Sequence, residues 1–284
     1  MHHSHVANVT RELLVSASNA VVAMLLLLFV NSESLAQGVE RGTESRYPPG
    51  WSIDAGVGSI ALPKFPGARD LRYLPFPDVE VHYGELFFAS LQDGIGVNLL
   101  RWNGFKLGPV ANVAFPRSDS LDERALHGLS NVKTTIETGG FIAWECPPYV
   151  STKLEIRKGV NGHEGIVADW ELTSGPPPFL DNKLVVLAGP HVTYYNRAYS
   201  KAYFGVTQAE SLASGYAAFD PNYSAKVGGS GILVYLWNDK VSSVLFVDYG
   251  RLYGDAGNSP IVRGRYGSVG QAFAALTVTY RFAL

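Results

Sequence analysis

The chain has 284 residues, a formal net charge of −2, 17% charged and 46% hydrophobic residues, and one cysteine, Cys146. That balance lacks the basic stripe with interleaved aromatics used for nucleic-acid binding, and one cysteine excludes an internal disulfide. Thirty glycines, 15 tyrosines and 14 phenylalanines, with no long apolar run after residue 36, point instead to a chain of short strands.

The N-terminus sets the compartment. Arg11 precedes an apolar run from Ala20 to Val30, and Ser34-Leu35-Ala36 places small residues where signal peptidase reads. The run is about half the ~20 residues a spanning helix needs, so residues 1–36 read as a cleaved signal peptide rather than an anchor. His2, His3 and His5 fall inside that leader, so no metal site is read from them, and no cofactor is expected. Residues 37–50 form a short periplasmic extension, and 51–284 the folded domain. No cysteine stands directly after the leader, where residue 37 is Gln, so a lipoprotein is not expected.

Twelve strands are predicted in chain order. The first half holds Trp51–Ala61, Tyr73–His82, Glu85–Leu91, Ile95–Arg101, Phe105–Phe115 and Val132–Glu145. The second holds Tyr149–Lys158, Gly165–Thr173, Lys183–Asn196, Lys226–Trp237, Val241–Leu252 and Gln271–Phe282. Connections alternate in length. Gly84, Asn103-Gly104, Cys146-Pro147-Pro148, Gly175–Asn182 and Asn238-Asp239-Lys240 are tight. Leu62–Arg72, Pro116–Asn131, Gly159–Glu164, Arg197–Ala225 and Tyr253–Gly270 are mostly long, with Gln92-Asp93-Gly94 the short exception. Short turns on one side and long loops on the other predict an all-β fold, a single antiparallel transmembrane barrel of about twelve strands (roughly 10–14). An even count puts both termini on the short-turn, periplasmic side.

Face analysis agrees. On the last strand Leu276, Val278, Tyr280 and Phe282 alternate with Thr277, Thr279 and Arg281. Lys153, Glu155 and Arg157 share one face of the seventh strand, and Asp169, Glu171 and Thr173 one face of the eighth. With Asp54, Lys133, Glu137 and Asp248 they predict a crosslinked, charged lumen, since a Lys or Arg at the lipid midplane costs roughly 2–4 kcal/mol. A soluble barrel with these charges outward is the alternative, and it inverts the faces. Trp51, Trp102, Trp144, Trp170 and Trp237 all fall toward the short-turn side, and with Tyr149, Tyr280 and Phe282 predict an aromatic girdle at one interface.

Several blocks carry a resemblance. Phe87-Phe88-Ala89-Ser90-Leu91-Gln92-Asp93-Gly94-Ile95-Gly96-Val97-Asn98, Gly108-Pro109-Val110 and Gly162-His163-Glu164-Gly165 occur in order. Ala202-Tyr203-Phe204-Gly205-Val206-Thr207 and Gly254-Asp255-Ala256 with Ser259-Pro260-Ile261-Val262 follow. Together they resemble the MltA-interacting protein family (MipA/OmpV) of outer-membrane proteins, from about Trp51 to Phe282. The resemblance implies a Gram-negative outer-membrane scaffold, bridging a lytic murein transglycosylase and a bifunctional penicillin-binding protein. Adhesion, osmotic response or antibiotic sensitivity are the roles of other members. Departures are Ala283-Leu284 after the terminal aromatic and the Cys146-Pro147-Pro148 turn.

Nothing in the sequence assembles a catalyst. His82, His127, His163 and His191 are scattered, no Gly-x-Ser-x-Gly elbow occurs, and Asp169 with Glu171 reads as part of a salt-bridge network rather than a glycosidase pair. The loop after the ninth strand carries Tyr199, Tyr203, Phe204, Tyr216, Phe219 and Tyr223. It is expected to fold inward as a plug or to present a binding surface, with Gly205 permitting close backbone approach. Arg263, Arg265 and Asp255 face the outer side, where lipopolysaccharide phosphates are candidate contacts. The reading is a monomeric, plugged barrel in outer-membrane lipid, with a porin-like channel or a surface adhesin as the alternatives.

Overall fold

The structure, a computed structural model, is described over residues 50–90, 92–146 and 150–283. The leader, the extension up to residue 49, Leu91, the Pro147-Pro148-Tyr149 turn and Leu284 lie outside the described residues. The strands are β1 (Trp51–Pro63), β2 (Leu71–Tyr83), β3 (Phe87–Ser90), β4 (Gly94–Val97), β5 (Leu100–Trp102), β6 (Phe105–Ala114) and β7 (Thr135–Cys146). They continue with β8 (Val150–Gly159), β9 (Ile166–Ser174), β10 (Leu184–Tyr195), β11 (Ser224–Leu236), β12 (Val241–Gly254) and β13 (Gly270–Ala283).

Consecutive strands pair antiparallel except β4 with β5, and two further pairings close the ring: β1 with β13 from Ser52↔Ala283 to Ala61↔Ala274, and β4 with β6. Both β4 and β5 lie on β6, at Ile95↔Ala111 and Leu100↔Leu107, and the register slips by one residue across Asn98–Leu99. They are two pieces of one bulged strand, so the 13 assigned strands make a twelve-stranded closed barrel. β1 begins and β13 ends at the short-turn rim. Four predicted strand ends extend by two residues, at Pro63, Leu71, Ser224 and Gly254, and two starts retreat by two or three. Glu85 belongs to the turn before β3, and residues 132–134 to the loop before β7, where Val132 bridges only Arg117.

The faces are those of a barrel in lipid. On β13, Leu276 and Val278 are 51% and 46% exposed on the outside, while Thr277 and Thr279 are 1% and 5% exposed inside. A soluble barrel would place the leucine and valine within. Among the described residues no helix is long and apolar enough to cross a membrane. Trp51, Trp102, Trp144 and Trp237 lie at short-turn strand ends, and Trp51 packs on Tyr83, Phe105 on Trp144, Tyr280 on Phe282. Trp170 differs. It pairs with Leu154 and Val192 at the midpoint of β9, because that strand starts only at Ile166.

The seam between first and last strands carries an ion pair. Arg281 Nε and Nη2 donate to both carboxylate oxygens of Asp54 at 2.8 and 2.6 Å, across the register pair Asp54↔Arg281. Asp54 is buried, so removing either partner leaves a charge without its counter-ion. Asp54→Ala and Arg281→Ala are each expected to destabilise the barrel by about 2 kcal/mol. The fraction of heat-modifiable barrel against urea measures this, and the double variant should cost less than the sum of the two.

Candidate functional site: a plugged lumen

The long loops contain five helices the strand periodicity did not reveal: α1 (Glu123–Leu126), α2 (Arg197–Phe204), α3 (Gln208–Ser214), α4 (Asp255–Asn258) and α5 (Pro260–Arg263). Asn196 starts α2, its side chain accepting from the Tyr199 amide at 3.2 Å and from the Ile166 amide of β9 at 3.0 Å. The helix is amphipathic. Arg197 and Lys201 bond Asp220 on one side, while Tyr199, Tyr203 and Phe204 are buried on the other.

That buried face closes the barrel mouth. Tyr199, Tyr203 and Phe204 pack with Val132, Val167, Leu252, Ala256 and Val262, which come from the wall and from two other loops. Burial pushes the Tyr199 and Tyr203 hydroxyls well above the usual phenol range, so they are neutral donors. Tyr203 donates to the Phe115 carbonyl at 2.6 Å. The last carbonyls of α2 are also answered: Arg117, itself buried, donates to Tyr203 O at 2.8 Å, and Ser259 to Phe204 O at 2.7 Å. Gly205 closes the helix against the Lys201 carbonyl, where a Cβ would crowd the backbone. At Gly165 a Cβ would collide with the Tyr199 backbone, so this glycine lets α2 sit against the wall.

A second layer covers the plug. Phe65, Ala68, Ala125, Leu126, Leu129, Val206 and Ile261 form one apolar cluster, with Tyr216 at its edge. Tyr216 therefore belongs to the cap and not to the lumen, its hydroxyl bonded to the Ala125 carbonyl at 3.1 Å. Glu210 ties the layer together by accepting from the amides of Thr207 and Ser130, both at 2.7 Å. Burial opposes its ionisation, but these bonds prevail and hold its carboxyl down to about 2. Arg263 and Arg265 stay exposed on this side, Arg265 stacked on Tyr266, while Asp255 accepts from the Asn222 amide at 2.7 Å.

Below the plug, the predicted charges meet in the lumen. Arg157 Nε donates to Glu137 at 2.8 Å and Nη2 to Asp169 at 2.6 Å, and Nη1 contacts Glu155. Lys153 Nζ lies 3.0, 3.5 and 3.7 Å from Asp93, Glu155 and Glu171. Asp248 receives Lys226 at 2.9 Å and contacts His191. Lys133 is not among them. It lies exposed in the loop before β7, because that strand begins two residues later.

One member escaped sequence reasoning. His163 is buried with Nε2 2.9 Å from Glu137, accepts the Gly165 amide on Nδ1 at 3.0 Å, and meets Tyr199 edge-on and Tyr203 at a tilt. Only the Gly-His-Glu-Gly block marked it. Opposite the charged arc, Ile60, Leu62, Phe76, Val185, Leu187, Ile232, Val234 and Val244 make the other lumen wall apolar. A cavity of about 420 Å³ and another of about 140 Å³ both touch Gln92, Asp93, Lys153, Glu155 and Glu171.

Strand register, outward apolar band and filled lumen define a transmembrane β-barrel of the outer-membrane type. The chain belongs to the MltA-interacting protein MipA family, whose model matches residues 55–282. No curated protein matches it in sequence. Similar solved structures include the COG4313 outer membrane channel from Pseudomonas putida F1, 11% identical over 86% of this chain and 100% of that one, with a TM-score of 0.42. OprG from Pseudomonas aeruginosa is 9% identical over 85% and 100%, TM-score 0.28, and the P. putida toluene transporter TodX 7% over 84% and 91%, TM-score 0.34.

Two outcomes are expected. Arg157→Leu strands Glu137, Glu155 and Asp169 together and should destabilise the barrel by roughly 3–5 kcal/mol in urea titration, with partial rescue by Glu155→Gln. The second concerns acid. A carboxyl held near 2 in the fold against an ordinary 4.5 contributes stability that is present above 4.5 and lost as pH falls toward 2. Hydrogen exchange at residues 207–216 should accelerate over that window, and Glu210→Ala should show the faster exchange already at neutral pH.

Proposed function

We propose that this chain is a non-catalytic scaffold of the Gram-negative outer membrane, holding murein-cleaving and murein-synthesising enzymes against the inner face of that membrane. The observation that carries the reading is the closed mouth. A barrel stoppered by the buried face of α2 and overlaid by an apolar cap is built to stay shut, so its working surfaces are its rims. Membership of a family described as MltA-interacting supports a murein transglycosylase as partner, and a bifunctional penicillin-binding protein is the second. The short turns at the rim where β1 begins and β13 ends are the periplasmic contact surface. The signal peptide delivers the chain, and Arg263 and Arg265 meet lipopolysaccharide phosphates on the opposite side.

The absence of catalysis is part of the same proposal. Both ring nitrogens of His163 are engaged, by Glu137 and by the Gly165 amide, and His191 sits in the Asp248 ion cluster, so neither is free to serve as base to a nucleophile.

A channel is the second reading, favoured by two cavities that meet at the Lys153–Asp93 pair. Two measurements separate them. The detergent-solubilised barrel immobilised on a column should retain a lytic murein transglycosylase, and failure with an intact heat-modifiable fold overturns the scaffold. In planar bilayers the barrel should show no steady conductance, whereas stable open steps at neutral pH decide for the channel.

A further inference from the structure

The wall of this barrel is not paired all the way round. β2 runs from Leu71 to Tyr83, but β3 bonds it only at Val81↔Ala89, His82↔Phe88 and Tyr83↔Phe87. The β3–β4 hairpin turns at Gln92-Asp93, and β4 meets β6 only at Ile95↔Ala111 and Gly96↔Val110. Gly94, with a φ of +72°, lies so close to the Ala111 carbonyl that no Cβ fits, which seats the short hairpin against β6. From Leu71 to Asp78 no described strand pairs with the outer edge of β2, nor with that edge of β6 beyond Ala111. The result is a notch in the long-loop half of the wall.

The sequence is adapted to that open edge. Pro75 and Pro77 have the same parity, so their nitrogens face the same neighbour. The β1–β2 ladder continues without interruption through Ser59↔Pro75 and Val57↔Pro77, so the side lacking donors is the unpaired one. Prolines there also refuse strand addition from another chain, which removes a partner strand as the occupant. The notch lies at bilayer depth: the outward residues of β2 are Pro75, Pro77, Val79 and Val81 below an exposed Tyr73, and those of β6 are Leu107, Pro109, Ala111 and Val113. Unpaired backbone at that depth is tolerated only where it lines a cavity.

A cavity is there. The lumen space of about 420 Å³ is lined by Arg72 on one flank, by Gln92 and Asp93 below, and by the consecutive residues Asn112 to Pro116 on the other flank. The Arg72 guanidinium stacks on the Phe115 ring at 5.4 Å and spans the top of the notch. Inside, the charges are answered within the chain, Lys153 by Asp93, Arg157 by Glu137 and Asp169, Lys226 by Asp248. Beside these, the lining carries the uncharged polar side chains of Asn112, Thr193, Ser230 and Gln271 and an apolar group that includes Leu62, Phe65, Phe204, Phe246 and Phe273. Apart from His191 Nε2, which contacts Asp248, two buried polar atoms on this lining lack a hydrogen-bond partner among the described residues, Gln92 Oε1 and Arg72 Nε.

We propose that the notch between β2 and β6 is a lateral portal, and that the lumen cavity behind it binds a small, uncharged, apolar-bodied molecule bearing one hydroxyl or amide, taken from the bilayer. Its hydrogen-bonding group answers Gln92 and Arg72, and its body lies on the aromatic arc. The proposal is independent of the scaffold reading, which concerns the rims.

The test uses the mature barrel in nanodiscs with 2-naphthol as probe, measured by equilibrium dialysis against empty nanodiscs. About one site per barrel above the lipid background is expected. Gln92→Ala should weaken it about tenfold. Ala114→Trp, which puts bulk in the notch, should abolish it, while Ile142→Ala on the outer face of β7 leaves it unchanged. Heat modifiability confirms each fold. No excess binding by the folded barrel, or equal binding by the Gln92 and Ala114 variants, overturns the site. The route is read separately with a nitroxide at Leu74→Cys in a Cys146→Ser background. Leu74 points inward, so an open portal gives it the oxygen accessibility of lipid-facing Tyr73→Cys, and a closed wall the low value of Val234→Cys. The low value overturns the portal.

Discussion

The Glu137 carboxylate is where wall and plug meet. One oxygen takes Arg157, which gathers Glu155 and Asp169 from neighbouring strands, and the other takes His163, whose ring lies against Tyr199 and Tyr203. A buried carboxylate persists only when its lone pairs are met, so the loop carrying His163 and the helix packed on it are bound to the charge state of the wall. The plug is therefore an outgrowth of the lumen network and not a loop that happens to fall inward. Its own polar ends are met in the same way, by Arg117 and Ser259 at the C-terminus of α2 and Asn196 at its start.

The lumen is divided between two kinds of chemistry. β6 to β9 bring the ion pairs around Arg157 and Lys153, while β1, β2 and β10 to β12 bring the apolar group of Ile60, Phe76, Val185, Leu187, Ile232 and Val234 beside a smaller cluster of His191, Lys226 and Asp248. Twelve strands enclose more room than an apolar core of this size fills. An arc of ion pairs spans that room with long side chains, and α2 occupies most of what is left at the mouth.

Much of this was legible from residue order. Alternation on β13 placed Thr277, Thr279 and Arg281 inside, and alternating connection lengths placed the loops on one side, because both signals are local and have a period of two. The lumen charges on β8 and β9 were legible for the same reason. Lys133 was not, since its assignment depended on a strand boundary, and a shift of two residues moves it from wall to loop. Trp170 was placed too near the rim for the same cause. The helices within the loops went unseen because each is eight residues or fewer and amphipathic only against partners distant in sequence. His163 belongs with them, as its partner Glu137 lies 26 residues away on another strand. Pro75 and Pro77 were in plain view, and their meaning depends on knowing which edge of β2 lacks a neighbour.

The charge network and the notch share a cause. Asp93 sits at the tip of the β3–β4 hairpin, and its carboxylate reaches Lys153 across the lumen at 3.0 Å. A tip held inward at that depth cannot also continue upward beside β2, so the hairpin ends early and leaves the long-loop half of that edge without a strand. Lys153 lies within ion-pairing range of Glu155 and Glu171 as well, so Asp93 answers the one lysine that joins the two cavities. What an unbroken wall would gain in backbone hydrogen bonds is given up to satisfy a buried cation. Proline at positions 75 and 77 reduces that loss, because an edge lacking two donors has two fewer groups to leave unpaired.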